Sequence, residues 1–162
     1  MENLNIRIAV KKDMPFVFDL INELALFEKS PKQVIISIND LENDGFGDNP
    51  LFRCLVAVIE NNIVGMALFY PRYSTWRGPT FHLEDLIVNE NWKSKGIGKA
   101  LYKSFIEFAC DQKVKRIEWV VLNWNKNAIE FYNQSGAKVL NDWNTVQMDY
   151  ETMKKYLNKQ LK

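Results

Sequence analysis

Apolar and polar residues alternate at the start of the chain, and the pattern then changes to a helical period. The alternating apolar residues are Leu4, Ile6, Ile8 and Val10. A period of two predicts a half-buried strand over residues 4–10. The next apolar residues recur at helical spacing, and they are Phe16, Leu20, Leu24 and Phe27. Asp13 as N-cap and Pro15 in the first turn therefore predict a helix that stops before Ser30.

The next part of the sequence predicts a short helix and a hairpin. The helix begins with Ser37 or Asn39 as its N-cap and ends at Gly45, where a segment rich in glycine, asparagine and proline follows. Residues 51–60 and 63–70 are apolar and β-branched, and Asn61-Asn62 separates them. Two such runs around a tight connection predict an antiparallel pair of strands.

A strand, a glycine turn, a helix and a second strand follow a predicted loop over residues 71–79. The strands are predicted over residues 81–88 and 116–122, and the helix carries an apolar stripe of Ile97, Leu101, Phe105, Phe108 and Ala109. Strand, helix and strand in this order predict a βαβ unit with parallel strands and a right-handed crossover.

The C-terminal part of the sequence predicts one more helix and two strands. Asn125 is the expected N-cap of a helix over residues 126–135, with Gly136 just after its end. Two further strands are predicted over residues 137–140 and 145–150. The whole pattern indicates a single α/β domain over residues 1–162. Its mixed central sheet has antiparallel N-terminal strands, a parallel βαβ core and flanking helices.

Composition narrows the functions that are open to the chain. It has 162 residues, of which 47% are hydrophobic, and a formal net charge of +1. We therefore expect a core but no nucleic-acid or membrane partner, because such partners favour a basic surface. A single histidine, His82, argues against a Ser-His-Asp triad and against most zinc sites, so no metal is expected. The N-terminus lacks a leader pattern, and Cys54 and Cys110 lie in apolar patterns, which favours buried thiols in a cytoplasmic protein.

The glycine turn is the first candidate site. Gly96 and Gly98 allow close backbone approach at the start of a helix, and Lys93, Lys95 and Lys99 add positive charge around it. A helix N-terminus can hold a phosphate or pyrophosphate. The same residues are also compatible with an ordinary strand-to-helix turn that carries solvated lysines.

Two motifs give the chain a specific resemblance. Residues 93–98 match the pattern R/Q-x-x-G-x-G/A, with lysine at its first position, and Asn125, Ala128, Phe131, Tyr132 and Gly136 match N-x-x-A-x-x-F-Y-x-x-x-G. The sequence thus resembles the GCN5-related N-acetyltransferase (GNAT) family, which implies the GNAT fold and acetyl-CoA as co-substrate. The resemblance implies coenzyme contacts by Leu86, Ile87, Val88, Lys93, Ser94, Lys95, Gly96, Ile97, Gly98, Lys99, Asn125, Lys126, Ala128 and Tyr132.

Five further blocks are similar to the diamine acetyltransferase branch of this family. They cover residues 23–29, 44–57, 73–78, 83–88 and 124–132. Ser74 is similar to the members that acetylate thialysine, where polyamine-acetylating members carry an acidic residue. The resemblance implies a homodimer and a primary amine substrate, with thialysine or a lysine-like amino acid ahead of polyamines and diamines. The implied substrate contacts are Phe27, Glu28, Trp76, Glu84 and Trp143.

Acetyl transfer to an amine requires a base, because an amine with a pKa of about 10.4 is almost fully protonated at pH 7. Glu84 and Asp85 are adjacent in a predicted strand and should point to opposite faces. The resemblance assigns Glu84 to the substrate side, as the group that binds the ammonium and acts as base directly or through water. A structural ion pair is the alternative for either carboxylate.

Tyr132 is the candidate acid for the leaving thiolate, and this role rests on the motif. Without the motif, a tyrosine in a helix after Phe131 is typical of a core position. Neither cysteine has an obvious base beside it, so we expect direct attack in a ternary complex. Two other functions stay open, namely an acyl-CoA sensor without turnover and a protein or peptide N-acetyltransferase.

Overall fold

The computed structural model describes residues 3–160, whose contacts group them into two compact units that meet in sequence at Val120 and Val121. The first unit contains β1 (Asn5–Ile8), α1 (Met14–Phe27), α2 (Ile38–Phe46), β2 (Arg53–Ile59), β3 (Asn62–Ser74), β4 (Gly78–Val88), α3 (Ile97–Asp111) and β5 (Arg116–Glu118). The second unit contains α4 (Lys126–Gln134) and α5 (Tyr150–Gln160). The single domain over residues 1–162 stays a prediction.

The sheet of the first unit has the strand order β1-β2-β3-β4-β5. The three pairs from β1 to β4 are antiparallel, and β4 and β5 are parallel. One apolar cluster contains Phe69 of β3 with Leu101 and Phe105 of α3, and another contains Met14 of α1 with Met66 of β3. Helices therefore cover both faces, and the predicted mixed α/β sheet is confirmed.

The β3–β4 hairpin is longer than predicted. The ladder runs from Gly65 opposite Val88 to Ser74 opposite Gly78, so most of the predicted loop over residues 71–79 is strand. Proline fits within it because the β2–β3 ladder ends at Phe69, which leaves Pro71 without a strand on its other side. The β2–β3 connection is a two-residue turn at Glu60 and Asn61, both with positive φ, one position before the predicted one.

Three predicted helix starts are confirmed, and one of them differs in detail. Ser37 and Asp40 form a capping box at α2, because Ser37 Oγ accepts from Asp40 N–H at 3.2 Å and Asp40 Oδ2 accepts from Ser37 N–H at 2.8 Å. Asn125 Oδ1 accepts from Ala128 N–H at 3.2 Å and caps α4. Asp13 precedes α1 without capping it, since its carboxylate accepts instead from Val10 N–H and the Arg7 guanidinium.

Several C-terminal predictions are wrong. The strand expected over residues 116–122 covers only Arg116–Glu118. No strand is assigned over residues 137–140 or 145–150 of the described chain, and Tyr150 instead begins α5. Asp149 explains this start, because its Oδ1 accepts from Thr152 N–H at 2.7 Å and satisfies a first-turn donor. Neither run has a ladder partner among the described residues, and without one it forms no strand.

Burial differs sharply between the two units. Every buried core residue lies in the first unit, and none of residues 121–159, whose side chains the structure describes, is buried. Cys54 is buried as predicted, whereas Cys110 is exposed because it lies on the outer face of α3. No described helix is long and apolar enough to cross a membrane.

Candidate functional site

A β-bulge in β4 determines where its two acidic residues point. Leu68 of β3 lies opposite Asp85 and Phe69 lies opposite Leu83, which leaves Glu84 as an extra residue in β4. Leu83 and Leu86 pack against the same apolar cluster, although strict alternation would put them on opposite faces. Glu84 and Asp85 therefore share the other face. The expectation that they point to opposite faces is wrong because the bulge resets the alternation.

Asp85 is the carboxylate whose pKa this environment raises most. Desolvation by burial, followed by the nearby charges of Glu84 and Glu28, raises the pKa of Asp85 to about 7. Partial desolvation also raises the pKa of Glu28, which lies just after the last residue of α1. Two predicted substrate residues, Glu28 and Glu84, thus act electrostatically on the same neighbour. Three carboxylates at one place make a site that attracts a cation.

Tyr70 and His82 border Glu84 on this face. Their rings are stacked, with centroids 5.2 Å apart, and His82 Nε2 lies 3.7 Å from Glu84 Oε2. Burial raises the pKa of the Tyr70 phenol, and the charge and hydrogen bond of Glu84 add to the effect. Glu84 itself is about half exposed, at 52% of its side-chain surface. The exposed carboxylate is therefore accessible to a ligand while its position is restrained from one side.

The C-terminal half of β4 has an open edge. The ladder with β3 continues to Val88, but the parallel ladder with β5 covers only Thr80, Phe81 and His82. In the described chain, no strand lies beside Leu86, Ile87 and Val88 on the β5 side. The backbone groups on an unpaired strand edge can bind an extended ligand. This geometry fits the predicted contacts of these three residues with an amide-containing coenzyme arm.

The glycine turn leads into a long helix that can hold an anion. Ser94 has φ 60° and Gly96 has φ 75°, both in the left-handed region, and α3 begins at Ile97. The first N–H groups of a helix lack intrahelical acceptors and lie at its positive end. Gly98 and Lys99 belong to this first turn. The turn thus fits a pyrophosphate through backbone donors.

The lysines of this turn are held by neighbouring residues. Lys93 forms an ion pair with Glu90, and its Nζ lies 5.1 Å from the centroid of the Phe27 ring. Lys95 Nζ lies 4.4 Å from the centroid of the Trp92 ring and donates to Asn91 O at 3.3 Å. Their side chains therefore make protein contacts, and the coenzyme contacts expected of them stay predictions.

The second unit contains the remaining residues that are predicted to contact the coenzyme or the substrate. Asn125 and Tyr132 are partly buried, whereas Lys126 is exposed. The Ala128 amide donates to the Asn125 cap. Trp143 is 68% exposed in a segment without regular structure. The roles expected of these residues stay predictions.

Trp76 and Ser74 form the tip of the β3–β4 hairpin. Ser74 Oγ accepts from Trp76 N–H at 3.3 Å and from Arg77 N–H at 3.2 Å. Ser74, whose identity bears on the predicted substrate preference, therefore also stabilises the turn that presents Trp76. Trp76 is 81% exposed and available to a ligand or partner.

Three residues of this site have no predicted role in acetyl transfer. The sequence gives Tyr70 no role, uses His82 only as an argument against a triad, and offers a structural ion pair for Asp85. Cross-strand register could have found the first two, because Tyr70 lies opposite His82 once the hairpin is extended. Within residues 3–160, no group of three or more His, Cys, Asp or Glu could hold a metal ion. The absence of a metal stays a prediction.

Comparisons with known proteins agree with this geometry. The model of the family described as "Acetyltransferase (GNAT) family" matches residues 14–137. A thialysine N-epsilon-acetyltransferase from Sus scrofa is 36% identical over 170 residues, covering 98% of this chain and 100% of that protein. A spermidine/spermine N(1)-acetyltransferase-like protein from Homo sapiens is 34% identical over 85% of this chain and 21% of its own length. An integron cassette protein from V. cholerae has a TM-score of 0.77 at 21% identity, with 97% and 99% of the two chains covered.

Proposed function

Because the chain belongs to the GNAT family and is an acetyltransferase, we propose that it transfers the acetyl group of acetyl-CoA to a primary amine of a small molecule. The observation that carries this proposal is the bulge in β4, which puts Glu84 and Asp85 on one face beside Glu28. Such a site is suited to a cationic amine and contains a group able to accept its proton.

The carboxylates have different tasks in this proposal. Glu84 is exposed and hydrogen-bonded by Tyr70, so it binds the incoming ammonium. Asp85, whose pKa of about 7 lies close to neutral pH, accepts the proton that the amine must lose before it attacks. The family resemblance favours a variant of this mechanism. In that variant Glu84 itself accepts the proton, directly or through water. The free amine then attacks in a ternary complex.

The coenzyme site consists of the open β4 edge and the turn before α3. When bound, acetyl-CoA supplies the activated thioester carbonyl. Backbone groups of Leu86, Ile87 and Val88 hold the coenzyme arm, and the N–H groups at the start of α3 hold its pyrophosphate. The family motif assigns Tyr132 the role of protonating the leaving thiolate, and Asn125 a coenzyme contact.

Thialysine or a lysine-like amino acid is the substrate that we favour. The relative from Sus scrofa is named for thialysine and covers nearly the whole chain, whereas the polyamine-related match covers less of it. Ser74 supports the same choice, because an acidic side chain there would favour a second cationic group of a polyamine. Phe27, Trp76 and Trp143 are aromatic groups suited to contacting a cationic amine.

Release of CoA thiol tests this function. The purified protein is given acetyl-CoA with thialysine, lysine, ornithine, putrescine, spermidine or spermine. We expect turnover with the amino acids, and at least a tenfold fall in kcat/KM for Glu84→Gln. Glu107→Gln is the matched control, because Glu107 is an exposed partner of Lys103 on α3.

Each outcome selects a different function. Faster turnover of spermidine or spermine than of the amino acids would identify polyamines as the substrate class. Tight acetyl-CoA binding without turnover of any amine would favour the acyl-CoA sensor, and faster acetylation of peptides than of free amines would favour a protein acetyltransferase. A homodimer, which rests on the family resemblance, and a cytoplasmic location, which rests on the N-terminal pattern and the two cysteines, belong to the same proposal.

A further inference from the structure

Glu23 joins α1 to the segment that leaves β4. Its Oε2 accepts from Asn89 Nδ2 at 2.8 Å, and its Oε1 accepts from the Glu90 backbone N–H at 2.7 Å. The two partners lie 66 and 67 residues away in sequence. Hydrogen bonds to a carboxylate are stronger than those between neutral groups. Both oxygens of one side chain thus hold the start of the segment that leads to the glycine turn.

Asn89 transmits this restraint along the segment. Its amide nitrogen donates to Glu23, while its Oδ1 accepts from Asn91 N–H at 3.2 Å. Its backbone N–H donates to Val64 O at 2.9 Å, and its carbonyl accepts from Trp92 N–H at 2.8 Å. The orientation of the Asn89 amide is therefore fixed at both ends. The turn that it organises ends directly before Lys93.

Phe27 contacts the other end of the same segment. It lies one helical turn after Glu23, so both side chains project from one side of α1. The Lys93 ammonium lies over its ring and pairs with Glu90. Residues 89–93 are thus held by Glu23 at one end and by the Phe27–Lys93 contact at the other. We name these five residues, Glu23, Phe27, Asn89, Glu90 and Lys93, the α1 clamp.

We propose that Glu23 is a positioning residue for coenzyme binding, which acts through the α1 clamp on the turn before α3. The inference rests on the proposed function, because it takes that turn as the pyrophosphate site. Ser94 and Gly96 need left-handed backbone geometry to present the N–H groups at the start of α3, and the clamp fixes the residues that precede them. Lys93 then supports the turn from the side of α1, at the motif position where the family pattern has Arg or Gln.

A reciprocal pair of substitutions tests the clamp. In Glu23→Gln the new amide nitrogen must face one of the two donors, Asn89 Nδ2 or Glu90 N–H, and in Asn89→Asp two carboxylates face each other. Each change should weaken CoA binding about fivefold or more. The double variant E23Q/N89D lets an amide donate to a carboxylate again, while Asp at position 89 can still accept from Asn91 N–H. Its affinity for CoA should return to within about twofold of wild type.

Three measurements separate positioning from a general loss of stability. Calorimetry gives the Kd for CoA, initial rates give the KM for acetyl-CoA and kcat, and hydrogen exchange follows the Glu90 and Asn91 amides. We expect faster exchange and a raised KM in both single variants, with kcat at saturating acetyl-CoA within about twofold. Glu107→Gln is again the control, since its partner Lys103 lies on the exposed surface of α3.

The outcomes also separate this inference from the proposed function. Wild-type protein that binds CoA, with E23Q binding it equally well, would overturn the clamp and leave the acetyltransferase intact. Equal losses in the single variants and in E23Q/N89D would likewise overturn it, because no complementarity would be restored. Failure of the wild-type protein to bind CoA would refute the proposed function and the clamp together.

Discussion

At the scale of single residues, Asp85 is the group whose chemistry depends most on its surroundings. Burial and two neighbouring carboxylates raise its pKa to about 7, whereas an unfolded chain gives an aspartate a pKa of about 3.9. The folded protein therefore holds this proton more tightly than the unfolded chain does. Between about pH 4 and pH 7 the free energy of unfolding should fall as pH rises, because the charged form is disfavoured only in the fold.

Asp85→Asn removes this titration. The variant should be more stable than wild type at pH 8, and the difference should shrink towards pH 4. Its kcat/KM at pH 8 should fall at least tenfold, and the acid limb near pH 7 should disappear from the pH profile. Urea unfolding at several pH values and initial rates measure the two effects. Asp111→Asn, at the exposed end of α3, is the control, and an unchanged pH dependence in Asp85→Asn would refute the role of Asp85.

The roles of Glu84 and Asp85 show what single residues reveal before a fold is known. Two acids in an apolar segment predicted a site, because buried carboxylates are costly without a partner. Their relative direction cannot be predicted from the sequence, since a local pattern gives a strand strict alternation and the bulge depends on the register with β3. The contribution of Tyr70 was hidden for the same reason. Its position opposite His82 depends on the pairing of β3 with β4, which local sequence patterns do not give.

At the scale of elements, the turn before α3 depends on one glycine. Gly96 has φ 75°, a left-handed conformation that costs about 1–2 kcal/mol for a residue with a Cβ. Gly96→Ala should therefore either strain or relax the turn, and relaxation would redirect the first N–H groups of α3. We expect the KM for acetyl-CoA to rise about tenfold, with a modest loss of stability.

Gly78→Ala is the matched control for this change. Gly78 has φ 84°, and beyond its two chain neighbours no residue has an atom within 4 Å of the position that a Cβ would take. The backbone strain is similar, but the residue lies at the hairpin tip. Thermal melts should show a comparable fall in Tm in the two variants, and only Gly96→Ala should raise the KM for acetyl-CoA. Equal KM values in both variants would show that the turn does not bind the coenzyme.

Elements were predicted well where local signals and burial agree. The apolar stripe indicates α3, and the caps at Ser37 and Asn125 indicate where α2 and α4 begin. The two predicted C-terminal strands are wrong because a local apolar pattern does not show whether a pairing strand exists. Thr145 and Val146 favour a strand locally, whereas Asp149 accepts from Thr152 N–H and marks the start of α5. Sheet pairing is non-local, and local patterns cannot supply it.

At the scale of the whole molecule, the two units differ in how far their apolar side chains are buried. The first unit has a buried core on both faces of its sheet. The second has large exposed apolar side chains, at Leu140, Trp143, Val146, Met148, Tyr150, Met153, Tyr156 and Leu157. Exposed apolar surface on this scale is typical of an interaction site. If the proposed homodimer forms, a second copy of the chain is the partner expected for this segment.

Light scattering on a size-exclusion column tests the homodimer. Wild-type protein should elute at twice the mass of one chain over a range of concentrations. Val146→Asp should shift it towards monomer, because a buried and unpaired carboxylate is costly at an interface. Ile35→Asp is a close control, since Ile35 and Val146 are both 91% exposed, one in each unit. A wild-type monomer would refute the homodimer, and equal dissociation by both variants would refute the part of the second unit in it.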